Sequence, residues 1–115
     1  MLEVYGIPNC DTVKKATKWL IKHRVPFHFY DFHTKKVGKQ KIDQWITKAG
    51  LEIVLNRKST TWRNLPLALQ ESVLSNKNAA GIISKHLTII KRPVIVSGEE
   101  ITIGFSEVLF EKYLE

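Results

Sequence analysis

The residue best suited to covalent chemistry is Cys10, the single cysteine of this 115-residue chain. A lone cysteine excludes an internal disulfide and a zinc site built from several cysteines, and leaves a buried inert thiol or a reactive thiol as alternatives. The neighbours Pro8, Asn9 and Asp11 are turn formers, which favours a loop over a buried apolar face. An amphipathic run follows, so we expect Cys10 at a helix N-terminus, where backbone N–H groups and the helix dipole favour the nucleophilic thiolate.

A second group of candidate residues lies in a polar stretch at residues 56–63. It combines three cations, Arg57, Lys58 and Arg63, with three hydroxyl side chains. Guanidinium, ammonium and hydroxyl groups are typical of a site for an oxyanion or a carboxylate. A solvated loop that binds no ligand is the alternative, and composition alone favours it.

A third candidate is the tripeptide Lys91-Arg92-Pro93 within the β-rich stretch Ile89–Ser97. Proline has no N–H for a strand ladder, so Pro93 indicates an edge strand, a bulge or a cis peptide bond. Surface charges beside an edge proline are the alternative interpretation. The four histidines have no ligand spacing with each other or with acidic residues, and we therefore expect no metal site.

Hydrophobic periodicity predicts the order β-α-β, a helical middle, and then β-β-α. Gly50 is expected to end the second helix, Ser75 and Ser106 to cap later helices, and Phe105 to pack on Phe110. The predicted elements are strand Leu2–Tyr5, helix Asp11–His23, strand Phe27–Asp31, a helix marked by Ile42, Trp45, Ile46 and Ala49, a short helix Leu51–Leu55, a loop Asn56–Arg63, helices Pro66–Leu74 and Ser75–His86, the β-rich stretch Ile89–Ser97, strand Ile101–Ile103, and a last helix from Ser106 to Tyr113.

Charge and hydropathy narrow the class of protein. The formal net charge is +7, and residues 1–50 carry ten Lys and Arg against four Asp and Glu, which favours an anionic partner. No Arg-rich helix, zinc finger or RNP-like strand is visible, so we do not expect direct nucleic-acid binding. The apolar run at 87–96 is too short to span a bilayer, and no signal peptide is evident. We expect a cytoplasmic protein that does not bind membranes.

Four segments together resemble a known family. They are GIPNCDTVKKATKWL at residues 6–20, STTWRNL at 59–65, IIKRPVIV at 89–96 and GFSEVLF at 104–110. In this order they resemble motifs of the ArsC (arsenate reductase) family, and the pattern is most similar to its single-cysteine, glutathione-dependent thiol-reductase-like subgroup. Spx-type regulators of RNA polymerase are similar relatives.

The resemblance implies an α/β, thioredoxin-like fold (β-α-β … β-β-α). One domain would span residues 1–115, with a helical subdomain inserted at roughly 38–86. It also implies that Cys10 is the nucleophile, that Arg92 lies beside it and acts with it in catalysis, and that Pro93 is a cis-proline facing the thiol. The substrate-binding residues that it implies are Asn9, Thr12, Arg57, Lys58 and Arg63, with either Arg57 or Lys58 as the middle cation of the family.

The resemblance also implies the reaction. We expect a thiol/disulfide or oxyanion reductase that has no bound cofactor, uses glutathione as co-substrate with or without glutaredoxin, and works as a monomer. Arsenate reductases place a third arginine in the segment where this chain has Phe105, so we expect weak arsenate turnover. The alternative is an Spx-like regulator that binds RNA polymerase without turnover. Val13 stands where Spx-type proteins often have the second cysteine of a C-x-x-C switch, which excludes an internal disulfide.

Overall fold

The structure, a computed structural model, describes residues 1–114, which form two compact units. The first unit contains Met1–Lys35 and the chain from Arg92 onward, and the second contains Lys36–Lys91. The single domain over 1–115 with a helical insertion at roughly 38–86 stays a prediction. No helix in the described part of the chain is long and apolar enough to cross a membrane.

The first unit is built on a mixed four-stranded sheet. Its strands are β1 (Leu2–Gly6), β2 (Phe27–Asp31), β3 (Val94–Ser97) and β4 (Glu100–Ile103), in the spatial order β2-β1-β3-β4. Strand β1 pairs in parallel with β2, whereas β3 is antiparallel to both β1 and β4. With helix α1 (Asp11–Lys22) between β1 and β2, this confirms the predicted β-α-β and β-β-α ends of an α/β fold.

The core of the first unit lies between the sheet and α1. Val13, Ala16, Trp19 and Leu20 are buried at helical spacing, as the periodicity predicts. The final helix α7 (Glu107–Phe110) inserts Phe110, which is 0% exposed and packs edge-on against Trp19 at 5.4 Å between ring centroids. A 3-10 helix, Glu111–Tyr113, follows directly, so the α-helix predicted to reach Tyr113 ends at Phe110.

The predicted cap of α7 is confirmed. The Ser106 side chain accepts a hydrogen bond from the backbone N–H of Leu109 at 3.4 Å. The Phe105 and Phe110 rings meet edge to face at 4.9 Å, which is the expected hydrophobic contact across the helix start.

The second unit is helical, as the sequence predicts. Trp45, Val54, Trp62, Val73 and Ile83 are among its buried residues. Its elements are α2 (Lys39–Ala49), α3 (Leu51–Val54), α4 (Thr60–Arg63), α5 (Leu67–Leu74), α6 (Ala79–Ser84) and a 3-10 helix at Leu87–Ile89. The C-cap of α2 is Gly50 at φ 93°, a left-handed conformation that glycine adopts readily, so the predicted stop is confirmed.

Two predicted segments in this unit are wrong. Only Ala79–Ser84 of the predicted helix Ser75–His86 is α-helical. Asn76 adopts a left-handed φ of 58°, so Ser75 follows α5 instead of capping a helix. The predicted loop Asn56–Arg63 contains α4. Its N-cap is Ser59, whose hydroxyl oxygen accepts the backbone N–H of Trp62 at 3.1 Å.

The β-rich stretch Ile89–Ser97 is shorter than predicted. Ile89 ends a 3-10 helix, and Ile90 forms a single β-bridge with Leu55. The strand begins only at Val94, because the preceding Pro93 has no N–H to donate to a strand ladder. Strand β3 lies between β1 and β4, so an edge-strand explanation for Pro93 is wrong.

Candidate functional site

Cys10 is the N-cap residue of α1, with extended backbone angles of φ −132° and ψ 125°. Its carbonyl oxygen accepts the backbone N–H of Lys14 at 2.9 Å, which closes the first helical turn. The residue is partly exposed and forms no disulfide. The structure therefore places Cys10 at the start of the first helix as a partly exposed residue, as expected, and not among the fully buried core residues.

A close contact joins the end of β1 to the first turn of α1. A Cβ atom placed on Gly6 would lie 2.8 Å from Cγ2 of Val13, closer than real Cβ contacts come. Val13 is 1% exposed and β-branched, so its side chain has little freedom to move away. The bare backbone of Gly6 therefore lets α1 approach the strand end, and this approach determines where Cys10 lies.

The loop around Cys10 holds two of the predicted substrate-binding residues. Asn9 and Thr12 are exposed. The Asn9 side-chain oxygen accepts a long hydrogen bond from Nζ of Lys14, at 3.5 Å. Both side chains therefore face solvent beside the thiol-bearing residue, where a substrate could reach them.

Arg92 and Pro93 leave the sheet at the same end as the Cys10 loop. Tyr5 pairs with Val94 across the antiparallel β1–β3 ladder, so the residues before Val94 continue alongside the end of β1. The Arg92–Pro93 peptide bond is cis, the configuration that the resemblance implies. Pro93 is buried and its carbonyl accepts the backbone N–H of Gly104 at 2.9 Å. Arg92 is half-buried, with Nε shielded from solvent.

An aromatic cluster that sequence reasoning missed lies at this end of the sheet. The Tyr5 ring stacks on Tyr30 at 4.9 Å and on Phe32 at 6.3 Å between centroids. Its hydroxyl donates to Glu3 Oε1 at 2.9 Å. Burial raises the pKa of the Tyr5 hydroxyl well above its usual value, and the neighbouring Glu3 carboxylate adds to this effect. Tyr5 therefore ionises even less readily than an ordinary tyrosine, and its ring packs at the strand end.

The remaining predicted cations belong to the second unit. Arg57 and Lys58 are neighbouring exposed residues, and the backbone N–H of Lys58 donates to the side-chain oxygen of Asn56 at 3.1 Å. Arg63 is also exposed and ends α4. One end of the sheet in the first unit thus holds Asn9, Cys10, Thr12, Arg92 and Pro93. The substrate-binding role of Arg57, Lys58 and Arg63 stays a prediction. Within residues 1–114, no three His, Cys, Asp or Glu side chains cluster as metal ligands.

Comparison with known proteins identifies the family. The ArsC family model matches residues 5–113, so the chain belongs to the ArsC family. An uncharacterised protein of Haemophilus influenzae is 39% identical over 107 residues, and this aligned region covers 93% of each of the two chains. The global transcriptional regulator Spx of Streptococcus agalactiae is 28% identical over 109 residues, which are 93% of this chain and 78% of Spx.

Solved structures support the same fold. A structure described as the YFFB protein has a TM-score of 0.91 and 33% identity, with all of both chains covered. An arsenate reductase-related protein of Brucella melitensis has a TM-score of 0.72 and 30% identity, covering 97% of this chain and 92% of that one. The fold is therefore the thioredoxin-like fold of this family. The comparisons support a thiol-based reductase or an Spx-like regulator.

Proposed function

We propose that the protein is a glutathione-dependent reductase in which Cys10 is the nucleophile. The observation that carries this proposal is that the single cysteine of an ArsC-family chain is partly exposed at the N-cap of α1. Backbone N–H groups at this position favour a thiolate, which is the form that attacks sulfur. A cysteine needed only for packing would be expected among the fully buried side chains.

The proposed reaction is thiol–disulfide exchange. The Cys10 thiolate attacks one sulfur of a substrate disulfide; that S–S bond breaks, and the other sulfur leaves as a thiolate and takes up a proton. A first glutathione thiolate attacks the mixed disulfide and releases the second substrate thiol, so that Cys10 carries glutathione. A second glutathione then forms glutathione disulfide and regenerates the Cys10 thiolate. Two glutathione molecules are oxidised for each disulfide reduced, and the chain needs no second cysteine.

Arg92 has the proposed role of stabilising negative charge at the reacting sulfur. Its support is the β1–β3 register, which brings Arg92 and the Cys10 loop to one end of the sheet. Asn9 and Thr12 are proposed to bind the substrate from the same loop. Arg57 or Lys58, together with Arg63, is proposed to bind anionic groups of the substrate, and this part rests on the family resemblance alone.

Arsenate is not the substrate that we propose. Phe105 occupies the segment in which arsenate reductases place a third arginine, and its ring packs against Phe110. A charge-assisted hydrogen bond to an oxyanion contributes about 1.5–3 kcal/mol, so its absence alone weakens arsenate binding by about ten-fold or more. Disulfide substrates do not require this contact.

A second candidate function is regulation of the Spx type, through RNA polymerase. The specific observation in its favour is the similarity to Spx over 93% of this chain. Val13, 1% exposed, stands at the position of the second cysteine of a C-x-x-C switch, so any redox response would need a mixed disulfide at Cys10. Such a regulator would bind the polymerase specifically and show no turnover.

Turnover separates these functions. Reduction of hydroxyethyl disulfide by glutathione, followed as NADPH consumption with glutathione reductase, should be catalysed by the wild-type protein and lost in Cys10→Ser. Arg92→Lys should lower the rate because an ammonium group lacks the planar fork of guanidinium, whereas the matched control Arg24→Lys should not. Equal rates in wild type and Cys10→Ser would refute the enzyme proposal.

A further inference from the structure

A groove of about 320 Å³ lies between α1 and the start of α7, away from the cysteine loop. Lys15, Lys18 and Lys22 line it from α1 at spacings of three and four residues, so they form one stripe along the helix. The buried ring of Trp19 and the half-buried ring of Phe105 supply apolar surface. The groove therefore combines a cationic wall with an aromatic lining.

The lysines of the cationic wall face little internal counter-charge. Within residues 1–114, Lys15, Lys18 and Lys22 take part in no ion pair, and all three are exposed. Glu107 is the single acidic residue among the described lining residues. Like charges three and four positions apart in a helix repel each other, so the three lysines of this stripe repel one another. An external anion would relieve that repulsion.

Three exposed apolar side chains are sequence neighbours of the groove-lining residues, although they do not themselves line the groove. Val108 and Leu109 follow Glu107 directly in α7 and are 75% and 53% exposed. Ile21, which lies three residues after Lys18 on α1, is 66% exposed. Exposed apolar side chains on the same helices as exposed charges are typical of protein interaction sites. A polyphosphate ligand has no apolar part, so these side chains would add nothing to its binding free energy.

We propose that the α1–α7 groove docks an acidic segment of a partner protein that carries a large apolar side chain. The carboxylates of the partner would lie along Lys15, Lys18 and Lys22. The apolar side chain would enter the groove against Trp19 and Phe105, where the volume holds one such side chain. The surface makes no use of the thiol, so the proposal stands or fails independently of Cys10 chemistry.

The probe is a synthetic twelve-residue peptide of Glu and Asp with a central Leu-Phe pair, titrated into the ¹⁵N-labelled full chain. Saturable shifts should appear at the Trp19 indole and the backbone amides of Phe105 and Glu107. Affinity should fall about ten-fold when Lys15, Lys18 and Lys22 are all changed to Ala, because the contact is electrostatic at the protein surface. The Cys10→Ser variant should bind as wild type does.

The matched control removes three other exposed lysines, Lys36, Lys39 and Lys77, and should change affinity by less than about two-fold because screening limits the reach of surface charge. Replacing the Leu-Phe pair of the peptide by Ser should also weaken binding. The proposal is overturned if no saturable binding occurs, if both triple variants lose affinity equally, if the Ser peptide binds as well, or if twelve-nucleotide single-stranded DNA binds the groove more tightly.

Discussion

The contact between Gly6 and Val13 leads to a test of how the fold positions the thiol. The backbone of Gly6 is not left-handed, so alanine fits its conformation, and any cost of Gly6→Ala must come from the new methyl group. That methyl would lie 2.8 Å from Cγ2 of a buried β-branched side chain. Overpacking of this kind costs about 1–3 kcal/mol. We expect Gly6→Ala to destabilise the protein by about 2 kcal/mol.

A double-mutant cycle tests whether the destabilisation by Gly6→Ala comes from the contact with Val13. Val13→Ala removes two buried methyl groups and should cost about 2 kcal/mol, from the transfer free energy of two carbons with a small cavity term. It also removes the Cγ2 atom that the methyl group introduced by Gly6→Ala would strike. The double variant should therefore cost about 2 kcal/mol as well, instead of the roughly 4 kcal/mol that independent effects would add up to.

Urea denaturation followed by far-ultraviolet circular dichroism measures these free energies. The effect on the site is measured as the rate at which iodoacetamide alkylates Cys10 in the native protein. Gly6→Ala should change this rate, and the double variant should return it to the wild-type value. Gly38→Ala is the matched control, because nothing lies within 4 Å of a Cβ at that glycine. Strict additivity in the cycle, or a Gly6→Ala variant as stable as wild type, would show that this contact does not position α1.

Three further predictions follow from the first unit. Phe110→Ala should cost about 3–5 kcal/mol in thermal or urea unfolding because the ring is fully buried, whereas the exposed neighbour Leu109→Ala should cost less than about 1 kcal/mol; equal losses would mean that the described core is wrong. Because burial raises the pKa of Tyr5, folding favours its protonated form, and that stability is present below about pH 10 and declines above it. Tyr5→Phe should therefore flatten the fall in unfolding free energy between about pH 9.5 and 11, and an unchanged slope would contradict this cause. Glutathione-coupled arsenate turnover should be weak or absent, and robust turnover that is lost in Cys10→Ser would overturn the inference from Phe105.

Local patterns predicted the first unit better than the second. The apolar spacing of α1 and the Ser106 cap depend on neighbours in sequence, and both are present as expected. The helix predicted over Ser75–His86 begins only at Ala79, because Asn76 adopts a left-handed backbone angle. Helix propensities summed over a segment do not reveal one residue with a left-handed backbone conformation.

The candidate site shows the same division. The position of Cys10 at a helix start follows from turn formers before an amphipathic run, and it was predictable from the residues. Arg92 lies at the same end of the sheet because Tyr5 pairs with Val94. These two residues are about ninety positions apart in sequence, and spacing alone does not reveal such a pairing. The Tyr5, Tyr30 and Phe32 cluster was missed for the same reason, because β1 and β2 bring these rings together only after pairing.

The central claim is that Cys10 is a reactive thiol that glutathione can both modify and release. Intact-mass analysis after treatment with oxidised glutathione tests it most directly. The wild-type protein should gain one glutathionyl group, Cys10→Ser should gain none, and reduced glutathione should remove the adduct from the wild type. A native wild-type protein that acquires no adduct, while the same chain unfolded in urea does, would contradict the account.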